Sequence, residues 1–327
     1  MRNILGHQWA VDLLQAHLIH QRLRHAYLIT GPTGVGRRTL AVWFAQAINC
    51  STPPTPGEPC QQCRNCRQIA DMQHPDLSVV QADPPGSILK VEPVRELQRT
   101  LALTPYQAEN RIALLLRFEE ANLNAANALL KTLEEPPPNV VMILTAQSQE
   151  DLLPTIVSRC ESVRLRPLPL DETAAGLQTH WNLPEDEARE LAHLSGGRPG
   201  YAITLHKNPE TLEQRQTWLN DLFDLLKQTR VQRFRYANTI AKDKHTFREL
   251  IQVWASLWRD VMLRSSGAKV PITNLAYENQ ITPLAGSVPM ETTHGVIRQL
   301  ERTLLLLDKN INTRLAAEVL MLELPYL

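Results

Sequence analysis

The chain has 327 residues, and its 34 lysine and arginine residues are balanced by 34 aspartate and glutamate residues. This length is sufficient for two or three domains with a hydrophobic core. Zero net charge disfavours strong non-specific binding to nucleic acid by this chain alone. The lack of a long apolar run excludes a membrane span and a signal peptide, so we expect a cytoplasmic protein.

Strand and helix patterns alternate through the first half of the chain. The predicted helices cover about residues 8–24, 38–48, 93–103 and 124–134. The predicted strands cover residues 26–29, 77–81, 111–116 and 140–145. Because two of these strands are continuous apolar runs, and helices alternate with strands, we predict an α/β domain with a mostly parallel sheet.

A glycine-rich loop at residues 31–39 has the frame of a phosphate-binding P-loop. That pattern requires glycine, four residues, glycine, and then lysine followed by serine or threonine. Gly31 and Gly36 keep the frame, but Arg37 replaces the lysine and Arg38 replaces the magnesium-binding hydroxyl. The loop therefore predicts the fold of an ATPase without its catalysis.

The second element of an ATPase site is altered as well. In a working enzyme the strand at residues 112–116 would end in acidic residues that hold magnesium, but Arg117 follows it here. Glu119 and Glu120 come two positions late, and we expect them to face solvent at the start of a helix. ATP hydrolysis is thus disfavoured, while weak nucleotide binding stays open. The candidate nucleotide contacts are Gly31, Gly34, Gly36, Arg37, Arg38 and Thr39.

Four of the five cysteines form a cluster with the spacing C-x9-C-x2-C-x2-C. They are Cys50, Cys60, Cys63 and Cys66. Four thiolates can close a tetrahedral structural zinc site with no open position for catalysis. An iron–sulfur run would need another cysteine three residues later, and none follows. We therefore predict a structural zinc ion, and we interpret the separate Cys160 as a small core residue.

The second half of the chain is predicted to be helical. Residues 166–170 are typical of a linker, and residues 171–206 predict a small helical unit. From residue 209 to the end we predict an all-helical region whose helices are interrupted near residues 265–267 and at residues 283–289, where glycine and proline occur.

Arginines offer further candidate sites. Arg159 could be a buried ion-pair partner, an ordinary surface charge, or a finger arginine that supplies transition-state charge to a neighbouring subunit's nucleotide. Arg230, Arg233 and Arg235 could line a surface that faces DNA or another subunit, but a solvated helix face is the favoured interpretation.

The chain resembles the delta-prime family of bacterial DNA polymerase III clamp-loader subunits, within the AAA+ superfamily. The resemblance covers essentially the first half, including residues 4–8 and 25–28, the glycine loop and the cysteine cluster. Its most specific parts are residues 125–136 (AANALLKTLEEP) and the Ser-Arg-Cys motif at residues 158–160. The C-terminal third is similar only in length and helicity.

This resemblance implies three domains. They are an AAA+ RecA-like core over residues 1–166 with a zinc module at about 50–75, a helical lid over 167–208, and a helical collar over 209–327 that assembles a five-membered ring. The resemblance also implies that Arg159 is a finger acting in trans. The implied partners are gamma/tau-type motor subunits and the delta subunit, and through them the sliding clamp and primer–template DNA, with no membrane partner.

Departures from the motor subunits favour a stator, a subunit that completes a neighbour's ATP site and lacks its own. Motor subunits carry lysine and threonine where this chain has Arg37 and Arg38, acidic residues near residues 116–117, and a lid arginine where Gly200 aligns. The alternative is an autonomous P-loop ATPase with unusual phosphate ligands. A zinc-dependent DNA-binding module is a weaker option, because aromatic and strongly basic residues do not surround the cysteines.

Overall fold

The computed structural model of the chain describes residues 4–309 and 311–327. Packing divides the chain into two compact units. The first contains the described residues up to Gly176 together with Gly197–Tyr201, and the second contains Leu177–Gly196 and the described residues from Ala202 onwards. Within the described residues, no helix is both long and apolar enough to cross a membrane.

A five-stranded parallel sheet forms the centre of the first unit. The strands are β1 (Ala26–Thr30), β2 (Leu77–Val80), β3 (Arg111–Leu115), β4 (Val140–Ala146) and β5 (Glu161–Arg164). Their spatial order is β2-β3-β4-β1-β5, and every neighbouring pair is parallel. Because β1, β3 and β4 are buried along their whole length, they are largely apolar and show no alternation of polar and apolar residues. The predicted parallel α/β core is confirmed.

Helices cover both faces of this sheet. They are α1 (Gln8–Ile19), α2 (Arg37–Ile48), α3 (Arg64–Ala70), α4 (Val91–Leu101), α5 (Leu123–Glu134) and α6 (Pro154–Val157). Successive strand residues point to opposite faces. Tyr27 and Ile29 therefore join an apolar cluster with α1, α2 and α3, whereas Leu28 joins a second cluster with α4, α5 and α6.

Several boundaries differ from the predicted ones. The first helix ends at Ile19 and not near residue 24, because Gln21 has a left-handed φ of 53° and the Arg22 N–H donates to the His17 carbonyl at 2.8 Å. The elements α3, α6 and β5 were not predicted. Each is only four to seven residues long, which is too short for a periodic apolar pattern, and in β5 Val163 is the one buried residue.

A buried carboxylate fixes the loop before β3. Asp76 is fully buried and accepts hydrogen bonds from the backbone N–H groups of Tyr106, Gln107 and Ala108 at 2.6, 2.7 and 2.9 Å. The Arg111 guanidinium lies 3.4 Å away. Although burial acts in the opposite direction, these backbone donors and the arginine lower the pKa of Asp76. The carboxylate therefore stabilises the fold in its ionised form.

The second unit contains helices and no β-strand among its described residues. Helix α7 (Leu170–Trp181) runs from the first unit into the second, and α9 (Pro199–Lys207) likewise belongs to both. The remaining helices are α8 (Glu185–Ser195), α10 (Pro209–Leu225), α11 (Arg230–Ile240), α12 (Lys244–Ser265), α13 (Glu278–Ser287), α14 (Met290–Asp308) and α15 (Thr313–Glu323). At its centre α12 buries Trp254 and Trp258 completely and packs against α10, α13 and α14. The predicted all-helical C-terminal region is confirmed.

Both predicted helix interruptions are present, but the second is shorter than predicted. The chain breaks after Ser265, and α13 ends at Ser287 before α14 begins directly after Pro289, whereas Pro283 lies inside α13. A proline removes one backbone donor from a helix. Burial of Ile281 and Leu284 on the core side of α13 offsets that loss and keeps the helix continuous.

The prediction that the arginines of α11 lie on a solvated helix face is wrong at one position. Arg230 and Arg235 are exposed, but Arg233 is fully buried. Its guanidinium donates to the carbonyls of Leu225 at 2.8 Å and Leu324 at 2.6 Å, among others. These carbonyls lie at the C-terminal ends of α10 and α15, where partial negative charge balances the buried cation. Arg233 thus holds the end of the chain.

Candidate functional site

The glycine loop lies between β1 and α2, as a P-loop requires. β1 ends at Thr30 and α2 begins at Arg37, so Arg37 and Arg38 occupy the first two helical positions. Gly36 precedes the helix with a φ of 111°, a conformation that favours glycine. The strand, loop and helix are arranged as predicted from the sequence.

A second backbone segment packs directly on this loop. The N–H of Gly200, at the start of α9, donates to the Gly34 carbonyl at 2.8 Å. A Cβ atom at Gly34 would lie 2.7 Å from the Tyr201 nitrogen, and one at Gly200 would lie 2.9 Å from the Gly34 carbonyl oxygen. Both positions therefore exclude a side chain. The position at which a lid arginine was expected in motor subunits is here a glycine in backbone contact with the loop.

Arg37 is buried and faces a carboxylate. Its Nη1 lies 3.6 Å from the Glu119 Oε1, and the two side chains are 8% and 12% exposed. Burial lowers the pKa of Arg37 and raises that of Glu119, while the opposite charge of each partner acts against the shift. Neither Arg37 Nη1 nor Glu119 Oε2 has a hydrogen-bond partner among the described residues. The side chain that replaces the P-loop lysine is thus paired within the chain.

The expectation that Glu119 and Glu120 face solvent is wrong. Arg117 has a left-handed φ of 54° and begins a short 3-10 turn, Phe118–Glu120, which is anchored by the buried Phe118. This turn directs Glu119 towards Arg37, and Glu120 lies 3.2 Å from the Arg117 guanidinium. Both carboxylates after β3 are therefore paired with arginines. Their position two residues beyond a buried strand was the only sequence signal for this site.

Arg38 and Thr39 point away from this pair. Both are exposed, and they line a groove of about 410 Å³ on the outer face of α2. The groove also includes Trp43 of the same helix and Met72 of the segment after α3. The candidate loop residues are consequently divided between the buried Arg37 pocket and an open groove.

The four clustered cysteines converge as predicted. Their sulfur atoms all lie within 4.8 Å of one another. In a tetrahedral zinc site with bonds of about 2.3 Å, the sulfur atoms are about 3.8 Å apart. Helix α3 begins at Arg64 and brings Cys63 and Cys66 together across its first turn. The four residues therefore fit a metal such as zinc.

Hydrogen bonds to sulfur support the same conclusion. The backbone N–H of Cys60 donates to the Cys50 sulfur at 3.3 Å, and that of Cys63 donates to the Cys60 sulfur at 3.2 Å. Although burial acts in the opposite direction, the Thr52 hydroxyl and the backbone N–H groups of Cys63 and Gln62 lower the pKa of Cys60 to about 6. Burial raises the pKa of Cys66, the innermost of the four. A bound cation would favour the thiolate form of all four.

Arg159 lies in the turn between α6 and β5. Its Nη2 donates to the Glu134 Oε1 at 2.7 Å and its Nη1 donates to the Thr155 carbonyl at 2.8 Å. The side chain is 34% exposed. Glu134 belongs to the motif at residues 125–136, but nothing in the spacing of that motif indicated a contact with Arg159. The adjacent Cys160 packs against an apolar cluster, and burial raises its pKa to about 12.

The parallel sheet separates Arg159 from the glycine loop of its own chain. In the β1–β5 register, Tyr27 pairs with Glu161 and Thr30 with Arg164. Arg159 is therefore level with the residue before β1, whereas the loop follows the other end of β1. At a rise of about 3.3 Å per residue, six residues correspond to about 20 Å, which is longer than an arginine side chain.

Two protein families match consecutive parts of the chain. The family described as DNA polymerase III, delta subunit, matches residues 6–169, and the family described as DNA polymerase III, delta subunit, C terminal, matches residues 209–325. Together these matches cover most of the sequence.

Individual relatives agree with these families. A DNA polymerase III subunit delta' from Pseudomonas aeruginosa is 38% identical over 210 residues, which are 62% of this chain and 62% of the relative. The Bacillus subtilis subunit delta' is 28% identical over 96% of this chain and 94% of the relative. A Haemophilus influenzae DNA polymerase III subunit tau/gamma is 33% identical over 68% of this chain but only 33% of the relative.

Proposed function

The chain belongs to the family of bacterial DNA polymerase III delta-prime subunits, and from this premise we propose that it is a stator of the clamp-loader complex that does not hydrolyse ATP. In this role it supplies Arg159 in trans to ATP held by a neighbouring gamma/tau-type motor subunit. The proposed outcome is loading of the sliding clamp onto primed DNA, with the delta subunit as a further partner.

The position of Arg159 carries this proposal. Arg159 lies at the amino ends of the strands, whereas the chain's own glycine loop lies at their carboxyl ends, about 20 Å away along the strands. An arginine that stabilises transition-state charge must touch the transferring phosphate. Arg159 can therefore serve only a nucleotide held by another chain.

The glycine loop supports the absence of hydrolysis. Arg37 is paired with Glu119, Arg117 with Glu120, and both carboxylates are thereby withdrawn from magnesium binding. The contact between Gly34 and Gly200 replaces a lid arginine with backbone. The proposal concerns hydrolysis and does not require that the loop be empty.

The remaining assignments follow from family membership. The division into core, lid and collar at residues 166/167 and 208/209 is proposed, and the start of the second family match at residue 209 supports the collar boundary. Zinc is proposed as a structural ion at the four cysteines, supported by the convergence of their sulfur atoms.

The test is an Arg159→Ala variant in the reconstituted complex. In this complex the motor subunits carry replacements of their own finger arginines. The ATP hydrolysis that remains then measures the site beside this chain. We expect the variant to assemble and this hydrolysis to fall by about 10³-fold or more. Arg159→Lys should not restore it, because lysine lacks the planar fork.

Full DNA-stimulated hydrolysis by the assembled Arg159→Ala complex would refute the finger role. Calorimetric titration of the isolated chain with Mg-ATP, followed by a turnover assay, tests the other half of the proposal. We expect no turnover. Micromolar binding with turnover would instead identify an autonomous P-loop ATPase.

A further inference from the structure

The Arg159 guanidinium is held by two different helices before any partner arrives. Glu134, the last residue of α5, accepts from Nη2 at 2.7 Å, and the Thr155 carbonyl of α6 accepts from Nη1 at 2.8 Å. The Ser158 hydroxyl lies 3.4 Å from Nη1. A guanidinium has five N–H donors, so this arrangement leaves one donor on Nε and one on Nη2.

The stability of α5 does not explain a carboxylate at position 134. The C-terminal end of a helix carries partial negative charge, which makes an anion there unfavourable. The Glu134 side chain is 51% exposed and so does not fill the core, unlike the preceding Leu133. Its ion pair among the described residues is the one with Arg159.

We propose that Glu134 is a positioning residue for Arg159. This inference rests on the finger role proposed above for Arg159. Its carboxylate fixes a long side chain whose rotamer freedom would otherwise be lost when the neighbouring subunit's phosphate binds. The two remaining donors can then reach two oxygens of one phosphate, the bidentate geometry that arginine favours. Glu134 itself touches neither nucleotide nor reacting atoms.

The experiment measures hydrolysis in the complex whose motor subunits lack their own fingers. We expect Glu134→Ala to lower kcat about tenfold, because small misplacements of an aligned group are costly. The KM for ATP should not change, since the finger acts in the transition state. Glu134→Gln keeps the length and one oxygen acceptor, so its kcat should lie between those of Glu134→Ala and the parent.

A double-mutant cycle separates positioning from a structural role. If Glu134 acts through Arg159, then Glu134→Ala will cause no further loss in the Arg159→Ala background. Glu135→Ala removes the adjacent exposed carboxylate and is the matched control, with kcat expected at the parent level. Assembly of each variant complex is checked by mass measurement.

Either of two results would overturn the inference. One is a parental kcat for Glu134→Ala together with a lowered kcat for Arg159→Ala, which would leave the finger role intact. The other is the same fold loss from Glu134→Ala in both backgrounds, which would indicate a structural effect. If Arg159→Ala itself has no effect, the proposed function fails and the positioning role fails with it.

Discussion

Replacement of Glu119 by glutamine should destabilise the first unit, because Arg37 would remain buried without a counter-charge. The two side chains are 8% and 12% exposed, and their nearest atoms are 3.6 Å apart. Glutamine keeps the size of the side chain and removes only its charge. The change therefore tests the electrostatic part of the interaction and leaves the packing intact.

The magnitude follows from the separation and burial of the pair. At 3.6 Å and an effective dielectric constant of about 20, two unit charges attract by about 5 kcal/mol. Removing one partner of a fully buried pair costs about 3–5 kcal/mol. Because this contact is longer than a hydrogen bond and glutamine keeps a dipole, we expect a loss of about 2 kcal/mol. For a unit of this size that corresponds to a Tm about 4–8 °C lower.

Scanning calorimetry of the full chain measures this change, and Glu120→Gln is the matched control. Arg117, the partner of Glu120, is 34% exposed, so the control should lose less than about 1 kcal/mol. Millimolar inorganic phosphate should raise the Tm of Glu119→Gln but not that of the parent, since it can take the place of the missing carboxylate. A Glu119→Gln melting temperature equal to that of the parent or the control would refute the reasoning.

Three other substitutions have defined outcomes. The folded-state pKa of Asp76 lies below its unfolded value of about 3.9, so the stabilisation that its carboxylate provides is complete above that value and is lost as the pH falls through the folded-state pKa. Asp76→Asn should therefore be less stable than the parent protein at pH 7. In urea unfolding curves its stability should approach that of the parent at acidic pH. Arg233→Met leaves several buried carbonyls unpaired and should cost about 2–3 kcal/mol, with faster hydrogen exchange near residue 324, whereas the exposed Arg235→Met should not; equal exchange in both would contradict the anchoring role. Cys66→Ser should lower the zinc content measured by mass spectrometry, and an unchanged content would exclude the four-cysteine site.

Local patterns in the sequence predicted the parallel core and the cysteine cluster correctly. Buried strands are long apolar runs, and the cysteine spacing is close enough to bring the ligands together within one short segment. The same patterns failed for Glu119 and Arg233, which were expected to be solvated. Their burial depends on a left-handed turn at Arg117 and on carbonyls about 90 residues away from Arg233, and neither feature has a periodic signature.

In the proposed stator, the topology of the sheet keeps the finger arginine apart from the glycine loop. The glycine loop follows the carboxyl end of β1, and Arg159 precedes the amino end of β5. Among the described residues, the side-chain partners of Arg159 and those of Arg37 are therefore different. Arg37 and Glu119 lie outside the β1–β5 pairing, and the register of that pairing determines where Arg159 lies. In the proposed stator, the parallel sheet therefore lets the glycine loop change without moving the arginine that the chain is proposed to offer to a neighbour.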